Sequence, residues 1–203
     1  MHLRSLELSG FKSFANSTTL TFPSRITAIV GPNGSGKSNI AEAIRWVLGE
    51  QSMKALRGKK GEDLIWNGSP ASRAGRPSIP RMGKASVTLR FDNTEGNIAL
   101  DFEEVAIARK IFRDGINEYF LNDSQVRLRD IVELIARLGL GETKHNIIGQ
   151  GEVDWMLLAS PLERRDILEE ALGLRVYQLK KNETERTLNA TEDNLRQAEA
   201  LLR

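Results

Sequence analysis

The segment GPNGSGKS at residues 31–38 has the residue types and the spacing of a loop that binds phosphate groups. Glycines such as Gly34 and Gly36 let the chain turn tightly, so that consecutive backbone amides approach one anion without obstruction from side chains. Lys37 supplies an ammonium group for the β- and γ-phosphates, and the hydroxyl of Ser38 suits Mg²⁺. The pattern therefore predicts a site for a nucleoside triphosphate with magnesium.

Such a loop needs a strand before it and a helix after it, and the sequence supplies a candidate for each. The run ITAIV at residues 26–30 is apolar and partly β-branched, which predicts a buried strand. Residues 38–48 carry apolar side chains at steps of three and four, as one face of a helix does. The first turn of that helix would direct unpaired amides and a positive dipole end at the phosphates.

Further strands are predicted where apolar and polar residues alternate or where β-branched residues cluster. They are residues 2–11, 17–22, 84–93, 98–102 and 105–115. Residues 116–126 predict a hairpin that turns at Asn122 and Asp123. Residues 67–83 are rich in Pro, Gly, Ser and Arg, which predicts a long exposed loop.

Helical patterns follow the hairpin. Residues 127–140 and 160–174 predict amphipathic helices, the second with Ser160 as its N-cap and Pro161 at its first position. Beyond Val176, apolar and small residues step by three and four, namely Leu188, Thr191, Leu195, Ala198 and Leu202. Because this stripe is short, it suits either the root of a longer coiled coil, which we prefer, or a surface helix lying on its own domain.

Bulk composition limits the class of protein. The 203 residues carry a formal net charge of +2, which neither demands nor excludes a nucleic-acid partner. Cysteine is absent from the sequence, so disulfides and thiolate metal sites are excluded. The N-terminus does not resemble a signal peptide, and no apolar run approaches the roughly 20 residues that span a bilayer. We therefore expect a cytoplasmic protein without a membrane segment.

Several segments resemble, in order and spacing, the motifs of the SMC (structural maintenance of chromosomes) family, and its prokaryotic type most closely. They are GFKSF at 10–14, VGPNGSGKSN at 30–39, AIRWVLGEQS at 43–52, LRG at 56–58, IIGQGEVD at 147–154 and SPLERRDILEEALGLRVYQLKK at 160–181. The resemblance implies an α/β fold: an ABC-type P-loop ATPase half-head, with a mixed sheet and flanking helices, that exits into a coiled-coil helix.

The same resemblance divides the chain. We expect residues 1–174 to form the N-terminal lobe of the SMC ATPase head and residues 175–203 to begin the coiled-coil arm. Within the lobe, an antiparallel sheet should pack near a mainly parallel core around the phosphate loop.

The resemblance also implies roles for individual residues at a site for ATP and Mg²⁺. Gln150 would help to hold Mg²⁺ and sense the γ-phosphate, and Arg57 would approach the nucleotide and support turnover. Lys12 and Ser13 would touch phosphate or ribose, and Asp63 would lie near the base. The other predicted cofactor-binding residues are Pro32, Asn33, Gly34, Ser35, Gly36, Lys37, Ser38 and Asn39. The predicted catalytic residues are Lys37, Gln150 and Arg57, and the predicted metal ligands are Ser38 and Gln150.

Two elements of an ABC-type ATPase are not found in the sequence. One is an apolar strand ending in Asp-Glu, which supports Mg²⁺ and orients the attacking water. The nearest match, LDFEEV at residues 100–105, precedes Gln150 and so lies in the wrong place. The other is an LSGGQ-like segment, which LSGF at residues 8–11 matches only superficially. In the family both lie in the C-terminal half, so we expect this chain to bind ATP with negligible turnover on its own.

Clusters of basic residues are candidates for contacts with duplex DNA, which SMC proteins bind on the top of engaged heads. Such residues would neutralise phosphates without reading bases. The candidates are Lys59 and Lys60, then Arg127 and Arg129, and a third cluster of Arg109, Lys110 and Arg113. Ordinary solvated surface charge is the competing interpretation for each of them.

The resemblance implies a protein that dimerises around ATP and entraps or loops DNA in chromosome condensation and segregation. Its implied partners are the C-terminal half of the same head, a second SMC chain, duplex DNA without sequence specificity, and a kleisin subunit at the neck. The kleisin face would include Leu179 and Leu188, unless that face pairs with the returning coiled-coil strand. Two alternatives are a double-strand-break repair ATPase of similar design and a P-loop kinase for a small substrate.

Overall fold

The computed structural model of the protein describes residues 2–70, 78–96, 102–137, 147–148, 157–165 and 174–201. The chain forms two compact units, Met1–Leu138 and Gly139–Arg203. The first unit carries a β-sheet and the phosphate loop, and the second carries the C-terminal helix. The domain boundary expected between residues 174 and 175 remains a prediction.

A six-stranded antiparallel sheet is the centre of the first unit. Its strands are β1 (His2–Ser9), β2 (Thr18–Thr21), β3 (Lys84–Asp92), β4 (Glu104–Phe112), β5 (Asn117–Leu121) and β6 (Ser124–Val126), in the order β2-β1-β3-β4-β5-β6. The predicted hairpin is confirmed as β5 and β6. Its turn residues Asn122 and Asp123 have φ values of 46° and 65°, the left-handed conformation that a tight hairpin requires.

One face of the sheet is apolar because side chains alternate between the two faces along each strand. Leu6, Leu89 and Ile107 pair across β1, β3 and β4 and are fully buried. Helix α1 (Lys37–Val47) packs against β3 and β4, and its buried Trp46 lies with its ring centroid 5.4 Å from that of Phe11. Burying each such side chain contributes about 1.5–3 kcal/mol, so this core fixes α1 relative to the strands.

The other face carries charged side chains that pair across strands. Arg90 of β3 donates from Nε to Glu7 Oε1 at 2.9 Å and from Nη1 to Glu104 Oε1 at 3.0 Å. Arg4 donates to Glu104 Oε2 at 3.1 Å. The bonds to Glu7 and then Glu104 raise the pKa of Arg90. These pairs mark the solvated side of the sheet, where ion pairs contribute little stability individually.

The strand predicted immediately before the phosphate loop is not formed. Residues 26–30 lie outside any strand, and Ile26 and Val30 are 90% and 89% exposed. A buried strand needs neighbours that satisfy its backbone groups on both edges, and no described strand pairs with this segment. The mainly parallel core is likewise not found among the described residues. The strand predicted at 98–102 falls almost wholly outside them.

The two predicted amphipathic helices differ in how much of each is described. Helix α2 (Leu128–Arg137) confirms the first and buries Ile131 and Ile135. The second begins after Ser160, whose amide donates to Glu163 Oε2 at 2.7 Å while the Glu163 amide donates to Ser160 Oγ at 3.4 Å. This reciprocal pairing is a capping box, so the predicted N-cap is confirmed.

The C-terminal helix α3 (Arg175–Leu201) contains the heptad-like stripe from Leu188 to Ala198, and Leu202 lies outside the described residues. Residues 180–200 are all exposed, and Leu188 and Leu195 are 56% and 58% exposed. Exposed leucines at this spacing are apolar surface that another helix could cover. The side chain of Leu179 lies outside the described residues. None of the helices in the described ranges combines the length and apolarity that a membrane-spanning helix needs.

Candidate functional site

The phosphate loop ends where α1 begins, at a turn that only glycine accommodates. Gly34 and Gly36 have φ values of 82° and 94°, in the left-handed region that other residues rarely adopt. A Cβ atom on Gly36 would also lie 2.7 Å from Ser13 Oγ, well inside van der Waals contact. Gly36 is therefore required both by its backbone conformation and by the close approach of residues 10–14.

Several backbone amides of the loop make no hydrogen bond to the described residues. The amide of Ser35 donates to the carbonyl of Pro32 at 3.3 Å. Within the described part of the chain, no hydrogen bond is made by four other amides in and after this turn, those of Gly34, Gly36, Lys37 and Ser38. Donors left free at a helix N-terminus, with the positive dipole end behind them, fit a polyanion.

The side chains of the loop are arranged around these amides. Lys37 folds back over the loop, and its Nζ donates to the carbonyls of Gly31 and Pro32 at 2.7 Å each. Negatively charged phosphate oxygens could replace these neutral carbonyl acceptors with stronger, charge-assisted hydrogen bonds. The side chain of Ser38 is exposed, as a hydroxyl that is to ligate Mg²⁺ must be. Pro32, Asn33, Gly34 and Ser35 are exposed as well.

Magnesium would depend mainly on the nucleotide and on Ser38. Among the described residues, no group of three or more His, Cys, Asp or Glu side chains could hold a metal ion. Gln150, the other predicted ligand, lies outside the described residues.

The turn at residues 10–14 lies against the loop. Ser13 Oγ accepts a hydrogen bond from Asn39 Nδ2 at 2.8 Å, which ties this turn to the first turn of α1. Lys12 has a φ of 47°, and its Nζ donates to the carboxylate of Glu42 and to the carbonyl of Leu56. Ser13 and Asn39 are thus at the phosphate loop, whereas the ammonium of Lys12 is directed at Glu42.

Arg57 approaches the same carboxylate from another segment. Its backbone has a φ of 49°, its side chain is 60% exposed, and its Nε lies 3.3 Å from Glu42 Oε1. Sequence analysis missed Glu42, which is 5% exposed and lies one turn after Ser38 on α1. Its position could have indicated this role, because Glu42 lies between Ile40 and Ala43 on a packed helix. A carboxylate buried there needs cationic partners.

Comparison with known families decides the assignment. A family model described as the RecF/RecN/SMC N terminal domain matches residues 2–152 of this chain. The chain belongs to the SMC family. The recognition from sequence motifs is therefore confirmed, and so is the fold class.

The similar proteins are chromosome partition proteins. This SMC chain is 48% identical over 195 residues to the chromosome partition protein Smc of Mycobacterium leprae, a match that covers 96% of the chain and 16% of the relative. It is 44% identical over 202 residues to that of Bacillus subtilis, covering 100% of the chain and 16% of the relative. The chain thus spans only 16% of the length of these curated relatives.

Solved SMC heads share the fold. The Smc head domain of Pyrococcus furiosus, with an extended coiled coil and bound to the C-terminal domain of ScpA, matches with a TM-score of 0.76 and 35% identity, covering 98% of this chain and 49% of that one. A second Smc head, bound to the C-winged helix domain of ScpA, matches with a TM-score of 0.75 and 36% identity, covering 84% and 51%.

In this SMC chain Asp63 caps a short turn of 3-10 helix at Gly61–Leu64. Its Oδ2 accepts hydrogen bonds from the amides of Lys59 and Lys60 at 2.8 and 2.9 Å. These backbone bonds, first Lys60 and then Lys59, lower the pKa of Asp63 below 3.8. The carboxylate therefore orders residues 59–63, and its predicted contact with the base stays a prediction.

The amide resonances of Lys59 and Lys60 are expected to titrate with Asp63, at a midpoint below the ordinary value of 3.8. A lowered carboxylate pKa means that the cap is complete above that value and is lost as the pH falls through the folded pKa. NMR spectra recorded between neutral and acid pH would follow it. Asp63→Asn should abolish the titration, and Glu62→Gln should leave it. A midpoint at or above 3.8 would contradict the capping role.

The basic candidates of this SMC chain separate into two kinds. Lys60 and Arg129 are 77% and 72% exposed at their side chains, and Lys59 and Arg127 are exposed as well. The third cluster is different. Arg109 is only 6% exposed, so its prediction as a DNA contact is wrong.

The other two residues of that cluster, Lys110 and Arg113, also contact other parts of the protein. Arg113 donates to the carbonyls of Met82 at 2.7 Å and Trp66 at 3.0 Å. Lys110 lies over the ring of Phe120, with Nζ 4.2 Å from the centroid. The burial of Arg109 could have been inferred from the alternation along β4, because Arg109 lies on the same face as Val105, Ile107 and Ile111.

Proposed function

We propose that this chain is the N-terminal part of an SMC ATPase head and binds ATP with Mg²⁺ in its phosphate loop. The observation that carries this proposal is the set of unpaired amides at the start of α1, beside the ammonium of Lys37. Lys37 would hold the β- and γ-phosphates, Ser38 would ligate Mg²⁺ with Gln150, and residues 32–39 would surround the phosphates. When bound, ATP would transfer its γ-phosphoryl group to water, and this hydrolysis would drive the engagement cycle of the heads.

The role in the cell follows from the relatives. They are named chromosome partition proteins, and a similar SMC structure with a TM-score of 0.73 was described for ATP-driven dimerization and DNA stimulated activation. We take this chain to act in the same way: two heads engage around ATP and drive DNA entrapment or looping in chromosome condensation and segregation. The protein would then work in the cytoplasm on the nucleoid.

Three protein partners fit exposed parts of the chain. Ile26 and Val30, beside the phosphate loop, expose apolar surface that suits the C-terminal half of the same head. A second SMC chain would complete the ATP site across the dimer. A kleisin would bind the neck, as ScpA domains bind the similar Smc heads, and the exposed Leu188 of α3 lies on the proposed face.

The proposal is tested by measuring MgATP binding and steady-state hydrolysis by this chain, with and without a separately expressed C-terminal half. We expect the chain alone to bind MgATP with negligible turnover, because the sequence offers no residue for orienting the attacking water. Addition of the C-terminal half should start hydrolysis. Full-head turnover by the chain alone, or phosphate transfer to a small substrate, would contradict the proposal.

Contacts with DNA are expected to involve the exposed basic residues. Reversing Lys60, Arg127 and Arg129 to glutamate should flatten the plot of log affinity for a short duplex against log salt by about 3, since each phosphate contact contributes roughly 0.9 to that slope. Filter binding at rising salt measures it. The matched control reverses Arg25, Lys54 and Arg81, which are equally exposed. Equal slopes for the two triple variants would remove the proposed contacts.

A further inference from the structure

Glu42 is a buried carboxylate with capacity left over for a cation. Its side chain is 7% exposed, and one oxygen accepts a hydrogen bond from Lys12 Nζ. The other oxygen, Oε1, is buried and accepts no hydrogen bond within the described part of the chain. Arg57 Nε is 3.3 Å from that oxygen, at the distance of an ion pair. The fold thus directs two cations from separate segments at one carboxylate on the helix that follows the phosphate loop.

Arg57 meets the carboxylate through only one of its nitrogens. The closest approach is through Nε, and the terminal nitrogens Nη1 and Nη2 make no hydrogen bond within the described residues. A guanidinium is a rigid planar fork, so an anchor at Nε fixes the direction in which the terminal pair points. That pair has the geometry to bind two phosphate oxygens at once. The side chain, at 60% exposure, is open to such a ligand.

The backbone around this cluster is held under strain. Lys12 and Arg57 both adopt left-handed φ values, 47° and 49°. Such values cost energy in any residue other than glycine and persist only where surrounding contacts enforce them. Lys12 Nζ also donates to the carbonyl of Leu56, the residue before Arg57. Glu42, Lys12 and residues 56–57 therefore form one closed set of contacts.

We propose that Glu42 is a positioning residue for the nucleotide site: it holds Arg57 at Nε so that the terminal guanidinium nitrogens face the phosphates bound at the loop. The inference rests on the proposed function, because it concerns the same nucleotide. It assigns Glu42 no contact with ATP. Its effect on binding must therefore pass through Arg57.

A double-mutant cycle on MgATP affinity separates positioning from other roles. Glu42→Gln keeps the volume and still offers an oxygen to Lys12, but it loses the charge that holds Arg57. Removing a negative charge near a polyanion should by itself strengthen binding. We nevertheless expect Glu42→Gln to weaken MgATP binding roughly fivefold and Arg57→Ala roughly tenfold, since a charge-assisted contact is lost in each. In the Arg57→Ala background, Glu42→Gln should cause no further weakening.

Controls make the outcomes distinct. Glu42→Asp, which keeps the charge, should recover part of the loss, and Glu62→Gln should have no effect. Arg57→Lys should resemble Arg57→Ala, because a lysine has no Nε anchor or fork. Weakening by Glu42→Gln in both backgrounds would indicate a purely structural role and overturn the inference. Unchanged or stronger MgATP binding by Glu42→Gln in the chain that keeps Arg57 would overturn it as well. Lys37→Ala tests the proposed function separately: if this variant binds MgATP as tightly as the parent chain, the proposed function itself is wrong.

Discussion

Replacing Lys37 with alanine is expected to weaken MgATP binding by this chain roughly a hundredfold, because an ammonium bonded to two phosphates contributes charge-assisted hydrogen bonds that nothing else replaces. Its Nζ donates to the carbonyls of Gly31 and Pro32 at 2.7 Å each. Those contacts lie in an exposed loop, so the variant should fold normally. Equilibrium titration with MgATP measures the loss, and thermal unfolding checks the fold.

Lys54→Ala is the matched control for this substitution. Lys54 is exposed and lies in the segment before Arg57, so its removal changes the net charge by the same amount. It should bind MgATP as the parent chain does. Equal affinity of the Lys37→Ala variant and the parent would show that the loop does not hold a triphosphate through this lysine. The proposed nucleotide site would then have to be abandoned.

Replacing Arg109 with alanine is expected to lower the free energy of unfolding by about 3 kcal/mol, as removal of a buried hydrogen-bonded group does. Its Nη1 donates at 2.8 Å to the carbonyls of Trp46 and Glu50, at the C-terminal end of α1. Its guanidinium also lies 4.7 Å from the ring of Trp46 and 5.0 Å from that of Tyr119. Truncation removes the Arg109 donor from the Glu50 carbonyl and one of two donors from the Trp46 carbonyl, which also accepts from the Gly49 amide at 3.2 Å. It also opens a cavity between the rings.

Burial lowers the pKa of Arg109 to about 10, so the side chain is still a cation at neutral pH and its hydrogen bonds offset the cost of desolvation. Urea unfolding followed by circular dichroism measures the change. Lys110→Ala is the control: Lys110 is the next residue, lies on the opposite face of β4 and is half-buried, so it should shift stability by less than about 1 kcal/mol. Similar losses from both variants would contradict the assigned role of Arg109.

The sheet could largely be predicted from sequence, because most of its strands pair with close neighbours along the chain. Alternation fixes β3 and β4, and the Asn122–Asp123 turn fixes the hairpin that follows. Residues 26–30 show the limit. Their composition indicates burial, but whether a strand forms depends on partner strands that no local pattern specifies.

The phosphate loop could also be predicted, because its glycines, Lys37 and Ser38 are consecutive in the sequence and act through local geometry. The burial of two charged residues, Glu42 beside the loop and Arg109 at the other end of α1, could not be predicted. By residue type, Glu42 and Arg109 suggest solvent-exposed positions, yet they are 5% and 6% exposed. Both are tolerated in the interior because the fold supplies partners of opposite charge or polarity.

The sequence by itself determined the family, the glycine-rich loop and the helix that follows it, since each of these resides in contiguous residues. Only the tertiary structure decided which charges are buried and paired. The partners of Glu42 and Arg109 lie 30 and 63 residues away along the chain, at Lys12 and Trp46. Contacts over such separations depend on how the strands and α1 pack, which residue spacing alone does not encode.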